Sequence, residues 1–385
     1  MSATYDVIIV GLGAMGSAAA YHLARRGQRV LGLDRFSPPH TMGSSHGQTR
    51  IIREAYFEHP SYVPIVQRAY QLWDDLALLS QTPLFQQTGG LMIGAPDSIV
   101  FTGAKHSAET HHLAHEILTA RDVRSRFPAL QPTDDMLAVL EPRAGILFPE
   151  RCIAAHLSLA TRLGAQLQTE EPMVRWSASQ DGVEVVTTKG TYRAAKMILS
   201  AGSWVRELLV DLNPPLTIER QILFWFEPKS SPKNFYPEQL PVHLWQIGGE
   251  EGRRFFYGFP DLGEGVKIAW HHDGSNVSPE FVSREAMPEE VETMRGLLRQ
   301  HLPDADGELR SAVVCLYTNT PDEHFWIDYH PAHPQVIIAS PCSGHGFKFS
   351  SAVGEILSHL AIDGKTSVDI SLFRNRFWTD STQRG

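Results

Sequence analysis

Apolar positions along this chain follow two rhythms. Residues 5–10, YDVIIV, are a short β-branched run of the kind that forms a strand buried on both faces of a parallel sheet. AMGSAAAYHLARRG then places Ala14, Ala18 and Tyr21 on one helical stripe, with Gly27 as the stop. RVLGLD, residues 29–34, returns to strand character and ends in an acid. After a polar Gly/Ser/Pro-rich loop over 36–53, helical spacing resumes over 60–80, with Val63, Val66, Ala69, Tyr70, Trp73 and Leu76 on one side. Residues 84–94 alternate like a strand, and 105–135 reads as a surface helix. GILFPERCIAAHLSLATRLGAQL predicts a helix, and TTKGTYRAAKMILSAGSWV a hairpin whose last strand ends at Ala201-Gly202. Residues 216–275 hold aromatic, strand-like segments (ILFWFEP, VHLWQIGG, RRFFYGFP, VKIAWHH), which predict a mixed or antiparallel sheet. A charged helix over 286–302, a buried strand in PQVIIASP, and a Gly-rich turn into a helix ending at Gly364 complete the pattern.

The order strand, Gly-rich turn, helix, strand, acid gives GLGAMG at 11–16 its meaning as G-x-G-x-x-G. Gly11 permits the tight turn, Gly13 lets the backbone approach a pyrophosphate, and Gly16 lets helix and strand pack closely. The helix N-terminus offers free N–H groups and a partial positive charge to phosphates. Asp34 is placed to accept hydrogen bonds from adenosine ribose hydroxyls. The motif alone does not separate FAD from NAD. Both ends of the chain carry nucleotide-domain patterns, with sheet-forming segments between them. The expected fold is therefore α/β: a discontinuous, Rossmann-like dinucleotide domain interleaved with a second domain built on a mixed or antiparallel sheet.

A length of 385 residues predicts two domains. The net charge of −9 leaves no basic footprint for nucleic acid. Cys152, Cys315 and Cys342 are too few and scattered for a disulfide framework and lack zinc spacing, which points to a reducing compartment. The N-terminus runs straight into a strand without a signal-type pattern, and there is no apolar run of membrane-spanning length, so the cytoplasm is the expected location. His111 and His115 are four apart and of chelating type, but no third ligand is evident; a solvated helix face is expected there and no metal.

Several longer segments carry a resemblance: GLGAMG, GSSHGQTRIIR at 43–53, YGFP at 257–260, VKIAWH at 266–271, CLYTNTPDEHFWIDYHP at 315–331, and SGHGFKFSSAVGEIL at 343–357. Together and in this order, the chain resembles the monomeric sarcosine oxidases and N-methyltryptophan oxidases, FAD-dependent amine oxidases. The resemblance implies a glutathione-reductase-type FAD domain from 1–83, 145–215 and 320–385, and a substrate domain from 84–144 and 216–319. It implies that Cys315 carries the flavin through a thioether, a bond that needs a thiolate and so benefits from nearby cations. Cys342, directly before SGHG, is the rival and a departure from the family pattern; Cys152 is expected to pack in a helix.

By the same resemblance, Arg53 and Lys348 grip a substrate carboxylate, the Arg as a planar fork and the Lys as a point charge. Arg50 and His46 lie beside the flavin. Tyr257, Tyr317 and His271 line the substrate pocket, where aromatic faces hold an N-methyl amine. Lys267 activates dioxygen by stabilising developing negative charge. Gly344 and Gly346 belong to the cofactor-binding turn. The spacing from Tyr257 to Lys267 is one residue shorter than in the family, which leaves the DLGEG loop open. The expected reaction is oxidation of a small N-methyl amino acid, sarcosine foremost, to glycine, formaldehyde and hydrogen peroxide, by a monomer with no nucleic-acid or membrane partner. N-methyltryptophan, a cyclic imino acid, or a dehydrogenase using another acceptor are the alternatives. Trp245, Phe255 and Phe256 are candidates to narrow the pocket.

Overall fold

In a computed structural model, residues 5–248, 254–340 and 342–374 are described. The YDVIIV segment forms the strand Tyr5–Val10 at the centre of an eight-stranded sheet. It pairs in parallel with Val30–Leu33 on one side and Thr191–Leu199 on the other. Gln166–Gln168 extends the sheet in parallel beyond Val30–Leu33, and His333–Ser340 pairs in parallel with Thr191–Leu199. An antiparallel meander, Met173–Ser179 to Gly182–Thr187 to Thr191–Leu199, forms the other flank. Central strands of such a sheet have both faces covered, which is why Ile8, Ile9, Ile198, Ile337 and Ile338 are all buried.

The helix Ala14–Arg25 is small-residue-rich because it is pressed between neighbours. A Cβ on Gly354 of the helix Ser350–Asp363 would come within 2.5 Å of the Ala18 Cβ. The last helix stops at Gly364, whose φ of +71° is the left-handed end that glycine accepts without strain.

A second eight-stranded sheet runs Leu309–Asn319, Thr217–Phe226, Val266–His271, Arg254–Phe259, Val242–Ile247, Gly90–Gly94, Leu137–Glu141, Glu116–Thr119. Every pairing is antiparallel except Val242–Ile247 with Gly90–Gly94, so segments far apart in sequence close one mixed sheet. A small sheet of Arg50–Ile52, Gly145–Leu147 and Phe85–Gln87 completes the set.

The fold is α/β with a Rossmann-like unit and a mixed sheet, as the patterns predict. Two local expectations fail. Residues 84–94 are two short strands, Phe85–Gln87 and Gly90–Gly94, separated at Thr88-Gly89, where Gly89 has φ +72°. Residues 105–135 are not one helix. A helix Ile99–Thr110 ends at His111, Glu116–Thr119 joins the mixed sheet as its edge strand, and a capping box at Thr119/Asp122 opens the short helix Ala120–Arg126. Among the described residues no helix is long and apolar enough to cross a membrane.

Candidate active site

The cradle begins where the central strand ends. Gly11 has φ +93°, and a Cβ there would sit 2.5 Å from the Ser200 carbonyl oxygen. A Cβ on Gly16 would overlap the Gly11 carbonyl, at 1.7 Å, whereas one on Gly13 would meet nothing within 4 Å, because Gly13 faces open space. The helix starting at Ala14 has no side-chain cap and no acid in its first turn. Its free N–H groups and positive dipole end therefore meet the cavity that Gly11, Gly13, Ala14 and Met15 line. Asp34 lines the same cavity. Its carboxylate accepts from the Leu12 and Phe36 N–H groups at 2.7 and 2.8 Å, which locks the strand end to the Gly-rich turn. These features match what an adenine dinucleotide requires: a close backbone approach, an uncapped helix end, and an acid at the second strand's tip.

The cavity, about 470 Å³, continues between the two large sheets to a buried cationic end. The Arg53 guanidinium is 3% exposed and sits 4.3 Å from the Tyr56 ring and 4.6 Å from the Phe57 ring. Its fork is occupied: both Glu58 oxygens accept from Nη2 at 2.8 and 2.9 Å, and the Ala55 carbonyl accepts from Nη1. Burial alone would raise the Glu58 carboxyl, but Arg53, with His345 and Lys348, outweighs it and holds Glu58 below the usual carboxylate range. Glu141 secures the backbone that carries Arg53 by accepting from the N–H groups of Glu54 and Ala55. Lys348 donates to the His345 carbonyl at 2.8 Å, and Tyr56 bonds the His345 ring. Burial, then Arg53, pulls Lys348 down to about 7.

Facing these cations, His271 Nδ1 lies 3.2 Å from the Tyr317 hydroxyl, and the Tyr257 ring stands edge-on to His271. Burial, then the charge of His272, keeps His271 well below the ordinary histidine range, so it is neutral. Gly344 has φ +72°, and a Cβ there would strike the Tyr317 and His271 rings at 2.5 and 2.9 Å. This glycine lets the turn carrying Lys348 close onto the aromatic wall.

Behind the cavity lies a third group. Arg50 lines it and donates to the Thr49 and Ser44 carbonyls at 2.8 and 2.6 Å. Lys267 is 2% exposed and bonds Gly47 O, Thr49 O and Thr49 Oγ1 at 2.7, 2.9 and 2.9 Å. Burial, then Arg50, holds its amine well below the usual lysine range. His46 is buried with neither ring nitrogen hydrogen-bonded, and Ser44 Oγ is likewise unpaired. Burial, then Arg50, pushes His46 down to about 3. Orphaned buried polar atoms beside a cavity mark where a polar ligand completes the bonding.

Burial raises the Cys315 thiol, and Arg50, Lys267 and Arg284 pull it back. Cys342 is raised by burial to about 11, offset by Ser340 alone. Cys342 lines the cavity; Cys315 is 1% exposed on the same strand face as Tyr317. Cys152 packs in the helix Pro149–Arg162.

Of the residues singled out from the sequence, Gly11, Gly13, Asp34, Arg50, Arg53, Tyr257, His271, Tyr317, Gly344, Gly346 and Lys348 share one cavity lining. Gly16, His46, Lys267 and Cys315 stand just outside that lining. Trp245 and Phe256 do not narrow the pocket. They stack on each other 5.2 Å apart, packed with His301 in a separate core. Phe255, on the opposite strand face, stacks 6.3 Å from Phe57. Sequence reasoning missed Glu58, Tyr56, His345 and His272. The signal for the first two was present in EAYFEH, one residue past Arg53, where an acid and an aromatic follow a cation at short range. Among the described residues His111 and His115 form no cluster with a third ligand. Asp211, His330 and His333 do lie close enough to hold an ion, away from the cavity lining, but the Ala332 N–H occupies His330 Nδ1.

A dinucleotide cradle opening onto a buried cationic and aromatic chamber defines a cofactor-dependent oxidoreductase. The family description "FAD dependent oxidoreductase" matches residues 6–360. The chain is 46% identical to the monomeric sarcosine oxidase of Streptomyces avermitilis, over 98% of both chains. It is 35% identical to the N-methyl-L-tryptophan oxidase of Yersinia pestis, over 96% of this chain and 98% of that one. The chain belongs to the family of FAD-dependent amine oxidases that these proteins represent. Among solved structures, a variant of NikD, an unusual amino acid oxidase essential for nikkomycin biosynthesis, superposes with a TM-score of 0.84 at 25% identity, covering 96% of each chain.

Proposed function

We propose that this enzyme oxidises a small N-methyl amino acid, with sarcosine the leading substrate: sarcosine, dioxygen and water give glycine, formaldehyde and hydrogen peroxide. The observation that carries the reading is the buried Arg53/Lys348 pair facing Tyr257, Tyr317 and neutral His271 inside the cavity that begins at the dinucleotide cradle. Two buried cations match a free carboxylate, which a simple amine lacks. FAD, held by Gly11, Gly13, Asp34, Gly344 and Gly346 on this reading, supplies the two-electron chemistry when bound.

The chain's own residues do the rest. Arg53 and Lys348 seat the carboxylate and so orient the carbon that is oxidised. The rings of Tyr257 and Tyr317 exclude water around the N-methyl group. His271 carries a lone pair that accepts from the amine's N–H. Lys267, with N–H groups directed by Gly47 and Thr49, and Arg50 answer the negative charge that develops as dioxygen is reduced. We further propose Cys315 as the thioether attachment point, supported by its three cationic neighbours, a cytoplasmic location, supported by three free cysteines, and a monomer, supported by the name of the 46% identical monomeric sarcosine oxidase.

The test is peroxide formation under air across sarcosine, N-methyltryptophan and cyclic imino acids. Fastest turnover per KM on sarcosine is expected. Far higher rates on N-methyltryptophan would overturn the substrate choice, and flavin reduction without peroxide would replace the oxidase with a dehydrogenase.

A further inference from the structure

We propose that Glu219 and His272 form a charged bolt that positions the Lys348-bearing turn against the substrate wall, making carboxylate recognition sensitive to the His272 proton. The role given to Lys348 rests on the proposed function; the bolt itself does not.

The carboxylate of Glu219, on the strand Thr217–Phe226, is 8% exposed at its side chain and meets donors on every side. Its Oε1 accepts from the Gly274 N–H at 2.7 Å and from Gln221 Nε2 at 2.6 Å. Its Oε2 accepts from Asn319 Nδ2 at 2.6 Å and lies 3.3 Å from His272 Nδ1. A carboxyl surrounded by donors has no acceptor for a proton of its own and stays ionised. Three of those four donors are neutral amides. A buried carboxylate needs a counter-charge, and His272 is the donor able to supply it.

The Ser343 carbonyl faces the His272 ring, and Asn319, which donates to Glu219, stands between Thr318 and Thr320, whose backbones bond Ser343 at 2.8 and 3.3 Å. A carboxylate and a carbonyl facing the ring both favour the imidazolium, which offers an N–H on each side. Glu219, Glu323 and the Ser343 carbonyl together outweigh burial and raise His272 above the ordinary histidine range. The neighbours facing it on its own strand and others are His271, with ring centroids 4.2 Å apart, Tyr317 at 5.3 Å, and His345 across the turn.

Ser343 opens the turn that leads through Gly344 to Lys348. Its φ is +42°, and its N–H donates to the Thr318 carbonyl at 2.8 Å. His272 itself has φ +57°, a left-handed conformation that a histidine holds only when surrounding bonds favour it. The bolt therefore joins three elements: the end of Val266–His271, the strand carrying Glu219, and the turn carrying Lys348. The sign of the pH effect follows. With a raised folded pKa, the charged pair is complete in mild acid and is lost as pH rises through that value, on the neutral-to-alkaline side of about 6.5.

The test uses the flavin-loaded enzyme. Amide hydrogen exchange across 343–349, corrected for the intrinsic rate, should show protection near about pH 6 that falls as pH approaches about 9. In Glu219→Gln the fall should move to lower pH, and in His272→Asn protection should be low throughout. Protection that is flat with pH in the wild type, or a midpoint unmoved by Glu219→Gln, would overturn the proposal. Should either variant lose its flavin, a histidine NMR titration of the wild-type enzyme decides: His272 titrating at or below the ordinary value refutes the bolt. Methoxyacetate, whose charge is constant across this range, serves as ligand. Its affinity in Glu219→Gln should match wild type in mild acid and weaken several-fold near about pH 8. Exchange that behaves as expected with no methoxyacetate binding at any pH would leave the bolt standing and remove the substrate reading.

Discussion

Glu58 occupies the guanidinium fork that a substrate carboxylate would use, so Glu58→Gln should tighten carboxylate binding. Both Glu58 oxygens bond Arg53 Nη2 at 2.8 and 2.9 Å, with the Arg53 side chain 4% exposed. An incoming carboxylate must share or displace those bonds. The amide keeps one acceptor for Arg53 where the carboxylate had two, and a hydrogen bond to a charged group contributes about 1.5–3 kcal/mol, so substitution weakens the competitor by roughly that amount. That converts to a gain of about 10- to 140-fold in affinity. The removed charge also no longer repels the ligand. One term opposes: Glu58 helps keep Lys348 protonated, so the comparison belongs below about pH 7. The cost falls on the unliganded protein, where buried Arg53 loses its counter-charge and Tm should drop, then recover with ligand. The assay is a flavin-absorbance titration with methoxyacetate, paired with thermal unfolding with and without ligand. Unchanged or weaker binding, in a variant whose Tm without ligand equals wild type, would show that Glu58 does not compete for Arg53.

Three more outcomes follow from the same chamber. Lys348, at about 7, must be protonated to meet a carboxylate; methoxyacetate affinity should therefore fall up to tenfold per pH unit above that value, and Lys348→Met should bind weakly without this limb. A persisting limb in that variant would assign it to another group. Lys267→Met should slow flavin reoxidation by dioxygen at least tenfold and leave anaerobic reduction by sarcosine within a few-fold, read by stopped-flow absorbance. Equal slowing of both half-reactions would remove its separate role. Cys315→Ala should release all flavin colour on acid precipitation while Cys342→Ala retains it; the reverse pattern would move the attachment to the cavity-lining thiol.

What the sequence disclosed depended on how local the cause was. GLGAMG, flanked by YDVIIV and RVLGLD, is a local grammar in which glycines, helix start and acid lie within thirty residues, and the structure reproduces it almost residue for residue. The stretch 105–135 failed because Glu116–Thr119 becomes a strand only by pairing with Leu137–Glu141, an edge position with little apolar alternation of its own. Trp245 and Phe256 misled for a related reason. Alternation along a strand says which residues share a face, but not which face meets the cavity. Glu219 and His272 were invisible because their pairing crosses three elements, and a histidine doublet beside Asp273 reads as ordinary surface in one dimension.

The packing of Ser350–Asp363 onto Ala14–Arg25 has a consequence for biosynthesis. A segment synthesised early and one synthesised more than 300 residues later are the two halves of one seam, with Gly354 seated against Ala18. The nascent strand and helix can pair with Val30–Leu33, Thr191–Leu199 and Pro149–Arg162 beforehand, but the helix face that meets Ser350–Asp363 stays uncovered until the C-terminal third emerges. Flavin capture should therefore be a post-translational event, and a chain stalled before residue 350 should be bait for chaperones rather than a partial enzyme.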